Sequence, residues 1–119
     1  MDISKIPLSP IVQANGFSFL SGQLGFKTPG VLVEGGIREQ TRQALRNMEA
    51  ILSAHGADLS HVLKTTIWLV DAGDFPEFNE EYASFFGSHR FPARSTVVSS
   101  LVVPGAKVEI EAIAMSLIP

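Results

Sequence analysis

Residues 62–70 read Val-Leu-Lys-Thr-Thr-Ile-Trp-Leu-Val, and no other stretch of the chain limits the fold so much. Its β-branched and aromatic residues favour a strand. Side chains alternate along a strand, so Ile67 and Leu69 point one way while Trp68 and Val70 point the other. A strand that is apolar on both sides belongs inside a sheet covered on both faces. The rest of the chain must supply that cover or leave it to another molecule.

Only two helices are legible. Ile37, Thr41, Ala44, Leu45, Met48, Ile51 and Leu52 recur at three- and four-residue steps and predict an amphipathic helix. Arg38, Gln40, Arg42, Gln43 and Arg46 fall on its remaining faces. Gly56 fits a left-handed C-cap, and His55 before it suits the negative end of the helix dipole. The second helix opens at Asp74, whose spacing to Glu77 matches a capping box, with Pro76 tolerated in the first turn. Phe75, Phe78, Tyr82, Phe85 and Phe86 give it an aromatic stripe that reads as core, and Gly87 ends it.

Strands flank these helices. Asn15-Gly16, between apolar runs, predicts a hairpin over residues 8–22 closed by a type I′ turn. The two glycines of Ser21-Gly22-Gln23-Leu24-Gly25 permit close approach of a neighbouring chain or a ligand. Residues 27–36, with Thr28-Pro29-Gly30 and Gly35-Gly36, read as a loop. A strand over 94–103 is broken at Pro104-Gly105, and a last strand runs from Lys107 to Leu117. In it Glu109 and Glu111 share one face, while Val108, Ile110, Ala112 and Ala114 take the other and should meet the helices.

The order is β-β-α-β-α-β-β within a single domain, 1–119, an α+β sandwich with both helices on one face of a sheet. Two helices cover one face only, yet the strand around Trp68 needs cover on both. A symmetric homo-oligomer is therefore expected. Composition agrees: 45% apolar and 18% charged residues are rich for a lone chain of 119.

Several function classes fall away. The net charge is −3 and lysines and arginines are scattered, so no basic face is available for nucleic acid. Cysteine is absent, which excludes disulfides, a thiolate nucleophile and a zinc-finger site. His55, His61 and His89 sit at a helix end and in loops, without a nucleophile elbow or metal-ligand spacing. No phosphate loop is present, and neither a metal nor a cofactor is expected. Residues 1–5 lack the pattern of a secretion signal, and no apolar run reaches the ~20 residues needed to span a bilayer. A soluble, cytoplasmic protein is the expectation.

Two residues remain for chemistry. In Phe91-Pro92-Ala93-Arg94-Ser95, the proline holds the chain extended and delivers an arginine to the start of a strand. A guanidinium there matches a carboxylate bidentately, so a small acid is its natural ligand. If the two C-terminal strands are neighbours, Arg94 and Glu111 share a cleft at the sheet edge or at a subunit boundary. Arginine would then hold a carboxylate and glutamate would position or deprotonate a water. A cross-strand structural salt bridge is the plain alternative.

These segments, taken together, resemble the RidA/YjgF/UK114 family of reactive-intermediate deaminases over residues 7–115. Phe91-Pro92-Ala93-Arg94-Ser95 and residues 108–114, Val-Glu-Ile-Glu-Ala-Ile-Ala, carry most of the likeness. Ser21-Gly22-Gln23, Gln40 with Asn47, residues 62–66, Asp74-Phe75, Asn79, Tyr82 and Phe85-Phe86 continue it. The resemblance implies a chorismate-mutase-like fold and a homotrimer with ligand clefts between subunits. It also implies hydrolysis of enamines and 2-imino acids, such as 2-aminoacrylate and 2-iminopropanoate, to 2-keto acids and ammonia. By the same resemblance Arg94 binds the substrate carboxylate and Glu111 serves the catalytic water. Ser21 and Asn79 line the cleft, and the backbone around Thr96 helps to cradle the ligand. The chain departs from the family at Ile11, where active members commonly carry a tyrosine, and at Thr96, where a cysteine is common. The segment before Phe91 is also short. A trimer that only captures small carboxylates and an endoribonuclease are the competing readings, and the acidic balance opposes the second.

Overall fold

The computed structural model describes residues 2–116. The chain enters the sheet through β1 (Ile11–Ala14) and β2 (Phe17–Gln23), antiparallel neighbours. Asn15 and Gly16 between them hold φ of 53° and 81°, the left-handed pair that a type I′ turn requires. The segment read as a loop over 27–36 is partly a ribbon, since β3 (Phe26–Thr28) pairs with β4 (Val31–Leu32) across Pro29 and Gly30. The same turn residues punctuate loops and hairpins, and strands this short carry no visible alternation.

Helix α1 (Ile37–Ala54) buries Ile37, Thr41, Ala44, Leu45, Met48 and Leu52 as its spacing requires, and Gly56 follows it at φ 76°. Gln40 departs from expectation: it is 3% exposed, not on an outer face. Its place between Ile37 and Ala44 puts it on the apolar stripe, and its amide is bonded there through both nitrogen and oxygen. Nε2 donates to the Gly105 carbonyl at 3.0 Å, and Oε1 accepts from the Lys107 N–H at 2.8 Å.

Strand β5 (Val62–Leu69) leads through a 3-10 turn, Ala72–Asp74, into α2 (Phe75–Phe86). The capping box expected at Asp74 and Glu77 does not form. Asp74 has helical φ and ψ and makes no side-chain cap bond; Asp71 caps the turn instead, accepting from the Gly73 N–H at 2.8 Å. Glu77 turns to Arg38 on α1, 3.4 Å away. Gly87 ends the helix at φ 54°.

Two strands close the sheet, β6 (Ala93–Val98) and β7 (Val108–Met115). β6 stops well short of residue 103. Its one neighbour, β5, ends at Leu69, and the last backbone bond between them runs from the Ser99 N–H to the Leu69 carbonyl. Leu117, expected in the last strand, lies outside the described residues. The strand order is β1-β2-β7-β5-β6, antiparallel except for the parallel pair β5–β6. Val108, Ile110, Ala112 and Ala114 join Val62, Ile67 and Leu69 beneath the helices, as do Phe78, Tyr82 and Phe86 from above. Among the described residues no α-helix lies over the opposite face. Phe17, Phe19, Val97 and Met115 stand there 41–45% exposed around the half-buried Trp68. Among the described residues no helix is long and apolar enough to cross a membrane.

Candidate active site

Register in the β5–β6 pair sets Arg94 opposite Thr65 and Thr96 opposite Ile67. Thr65 and Ile67 are buried, so both β6 side chains face the helices. Phe75, Phe78, Asn79 and Tyr82 of α2 follow one another at i, i+3, i+4 and i+7 and share one side of that helix. Arg94 meets all four. Its Nη2 donates to Asn79 Oδ1 at 2.8 Å, and its Cζ lies 4.9 Å from the Tyr82 ring centroid, 5.5 Å from Phe78 and 5.6 Å from Phe75. The quadrupoles of these rings hold a cation without neutralising it.

Among the described residues no carboxylate comes within salt-bridge distance of Arg94. The acids of α2 are engaged elsewhere: Glu77, Glu80 and Glu81 face Arg38, and Glu81 also meets Arg42 at 2.9 Å. The half-buried guanidinium borders a cleft of about 280 Å³ lined by Asn79, Tyr82, Ala83, Phe91, Pro92 and Arg94. Thr96, two residues along on the same face, has a buried Oγ1 without a hydrogen-bond partner. A seated cation with no protein counter-ion beside an open cleft is suited to a small carboxylate.

Glu111 is not in this cleft. It pairs in register with Thr66, one residue out of phase with Thr65, and so projects from the uncovered face. β5 also separates β6 from β7, so the expectation of neighbouring C-terminal strands fails on strand order. Beside Glu111, the half-buried Glu109 packs its carboxylate against Gly22, where the absent Cβ makes room for it. Burial raises the Glu109 pKa, and the charge of Glu111 raises it further. Ser21 lies on β2, with β7 and β5 between it and β6, and its Oγ donates to the Ser9 carbonyl at 2.6 Å. It borders a separate, mainly apolar cavity of about 270 Å³ with Leu8, Pro10, Leu24, Phe26 and Ile51. One protomer thus gathers Arg94, Asn79 and Thr96 on one side and keeps Glu111 and Ser21 apart from them. Among the described residues no cluster of three or more His, Asp or Glu is placed to hold a metal ion.

The sequence reading missed the aromatic seat, having taken the whole stripe for core. Phe78, Tyr82 and Phe86 are core, but Phe75 is 41% exposed, and an asparagine set within an aromatic stripe was the signal that this helix face meets a polar group.

A family model described as Endoribonuclease L-PSP matches residues 3–116. Human 2-iminobutanoate/2-iminopropanoate deaminase is 42% identical over 110 residues, which cover 92% of this chain and 80% of that one. The YjgF gene product of E. coli superposes with a TM-score of 0.85 at 36% identity, over 93% of this chain and 89% of that chain. TdcF of E. coli, solved with bound serine, gives a TM-score of 0.83 at 33% identity, over 92% and 87%.

Proposed function

The chain belongs to the endoribonuclease L-PSP family, to which the RidA/YjgF proteins belong, and on that footing we propose that it hydrolyses 2-imino acids and their enamine tautomers to 2-keto acids and ammonia. Water adds through oxygen to the imine carbon and its released proton goes to nitrogen. The hydroxyl proton of the resulting carbinolamine then also passes to nitrogen as the carbonyl forms and the carbon–nitrogen bond breaks to release ammonia. The imine carbon is already electrophilic, so placement of the reactants and one acid/base group suffice. Arg94 anchors the substrate carboxylate, and Glu111 accepts a proton from water and returns it to nitrogen. Asn79, Ser21 and Thr96 line the cleft. Because Arg94 and Glu111 leave one sheet from opposite faces, the complete site needs a second copy of the chain, and a homotrimer with clefts between subunits is the assembly we assign.

The observation that carries this reading is Arg94 itself, held by Asn79 and three rings and left, among the described residues, without a carboxylate partner. TdcF, a relative, binds serine, a small molecule with the carboxylate that such an arginine takes. To test the reading, 2-imino acids are generated in situ from several amino acids with an amino-acid oxidase, and imine decay is followed with and without the protein. Faster keto acid release is expected, with loss of at least about 100-fold in both Arg94→Ala and Glu111→Gln. Folded wild-type protein that binds 2-keto acids but accelerates no imine would leave a carboxylate-binding protein in place of the enzyme.

A further inference from the structure

The half of the cleft that holds Arg94 is built in three layers, and each fixes the next. At the base Thr65 Oγ1 and Tyr82 Oη lie 2.7 Å apart, both residues buried, and no other hydrogen bond of the Tyr82 hydroxyl is needed to satisfy it. Above that, the Tyr82 ring is packed between Phe78 at 5.5 Å and Phe86 at 4.8 Å, both tilted against it. On top sits the Arg94 guanidinium, nearer to Tyr82 than to either phenylalanine. Thr65 is also the residue paired with Arg94 across the β5–β6 ladder. The hydroxyl bond therefore pins the ring to the strand beside the very residue it supports.

From this geometry we propose that Tyr82 is a positioning residue: pinned by Thr65, its ring sets the height and tilt of the Arg94 guanidinium and so presents it to the substrate carboxylate. The proposal rests on the reading of Arg94 as the carboxylate anchor. The two groups sense each other electrostatically as well. Burial pushes the Tyr82 phenol pKa up, while the Thr65 hydrogen bond and the positive charge of Arg94 draw it part of the way back. A carboxylate arriving at Arg94 changes the field at the ring.

Tyr82 is the one tyrosine of the chain, so protein carrying carbon-13 in its tyrosine ring gives a single reporter. Titration with 2-oxobutanoate, a keto acid that cannot turn over, should move that signal saturably, at the concentration at which it inhibits, and should leave it still in Arg94→Ala. Tyr82→Leu should raise KM for the imino acid about tenfold with kcat held within about twofold, while Tyr82→Phe, which keeps the ring but releases it from Thr65, should raise KM about threefold. A ring signal that stays still in an active enzyme inhibited by 2-oxobutanoate would overturn the positioning role and leave the deaminase reading intact. So would an unchanged KM in Tyr82→Leu. Should that variant fail to fold, the reporter titration and Tyr82→Phe decide the matter. A saturable, Arg94-dependent shift in protein that hydrolyses no imine would sustain the positioning of Arg94 and overturn the deaminase instead.

Discussion

Gln40 brings an amide into the interior and bonds both its nitrogen and its oxygen to the segment that leads into β7. Its spacing on α1 set its burial, and polarity did not prevent it because two backbone groups were waiting there. Gln40→Leu keeps the helix but strands the Gly105 carbonyl and the Lys107 N–H. Each buried group left unpaired costs about 1–3 kcal/mol, so a loss of about 2–5 kcal/mol is expected. Gln40→Glu keeps the acceptor for the Lys107 N–H but buries a carboxylate against the Gly105 carbonyl, and should cost at least as much at neutral pH. Denaturant melts check this: the midpoint should fall in both variants, at least as far in Gln40→Glu as in Gln40→Leu, with the slope unchanged. Tyr82 teaches the same lesson at the cleft, for its place in an aromatic stripe announces burial and says nothing of the cation above it.

Helix α1 is held against the β2–β3 connection by close backbone approach. A Cβ added to Gly25 would lie 2.9 Å from the Gln40 Cα and 3.0 Å from its carbonyl oxygen, both main-chain atoms. Asn47 ties the same contact, its Nδ2 donating to the carbonyls of Leu24 at 3.1 Å and Phe26 at 2.9 Å. Gly25→Ala must therefore shift the helix or the strand, with an expected loss of about 1–3 kcal/mol. Gly22→Ala displaces only the side chain of Glu109 and should cost less than about 1 kcal/mol. Thermal or urea unfolding of the two variants tests the contrast, and equal losses would mean that backbone approach is not what α1 depends on. Boundaries at this scale were the least legible part of the chain. The end of β6 and the unformed box at Asp74 both depend on partners, β5 and Arg38, that lie elsewhere in sequence.

Across the whole molecule the sheet has one face under helices and one bare. Phe17, Phe19, Val97 and Met115, with Trp68 among them, form an apolar surface that a single protomer leaves to water. We expect the wild type to sediment as a homotrimer and Phe19→Lys, a charge placed on that surface, to sediment as a monomer with an unchanged far-UV spectrum. A variant that stays trimeric would move the interface to another surface. The residue order alone determined the hairpin at Asn15-Gly16, both helices, the inward face of β7 and the apolar residues on both faces of β5. All of these follow from turn chemistry or from periods of two and 3.6 residues, which act within a single element. Only the tertiary structure decided that β5 stands between β6 and β7, that Arg94 and Glu111 leave the sheet from opposite faces, and that α2 supplies a seat for the arginine. Periodicity tells which residues of one element share a face. Strand order and helix docking arise from hydrogen bonds and packing between elements far apart in the chain, and no local pattern encodes them.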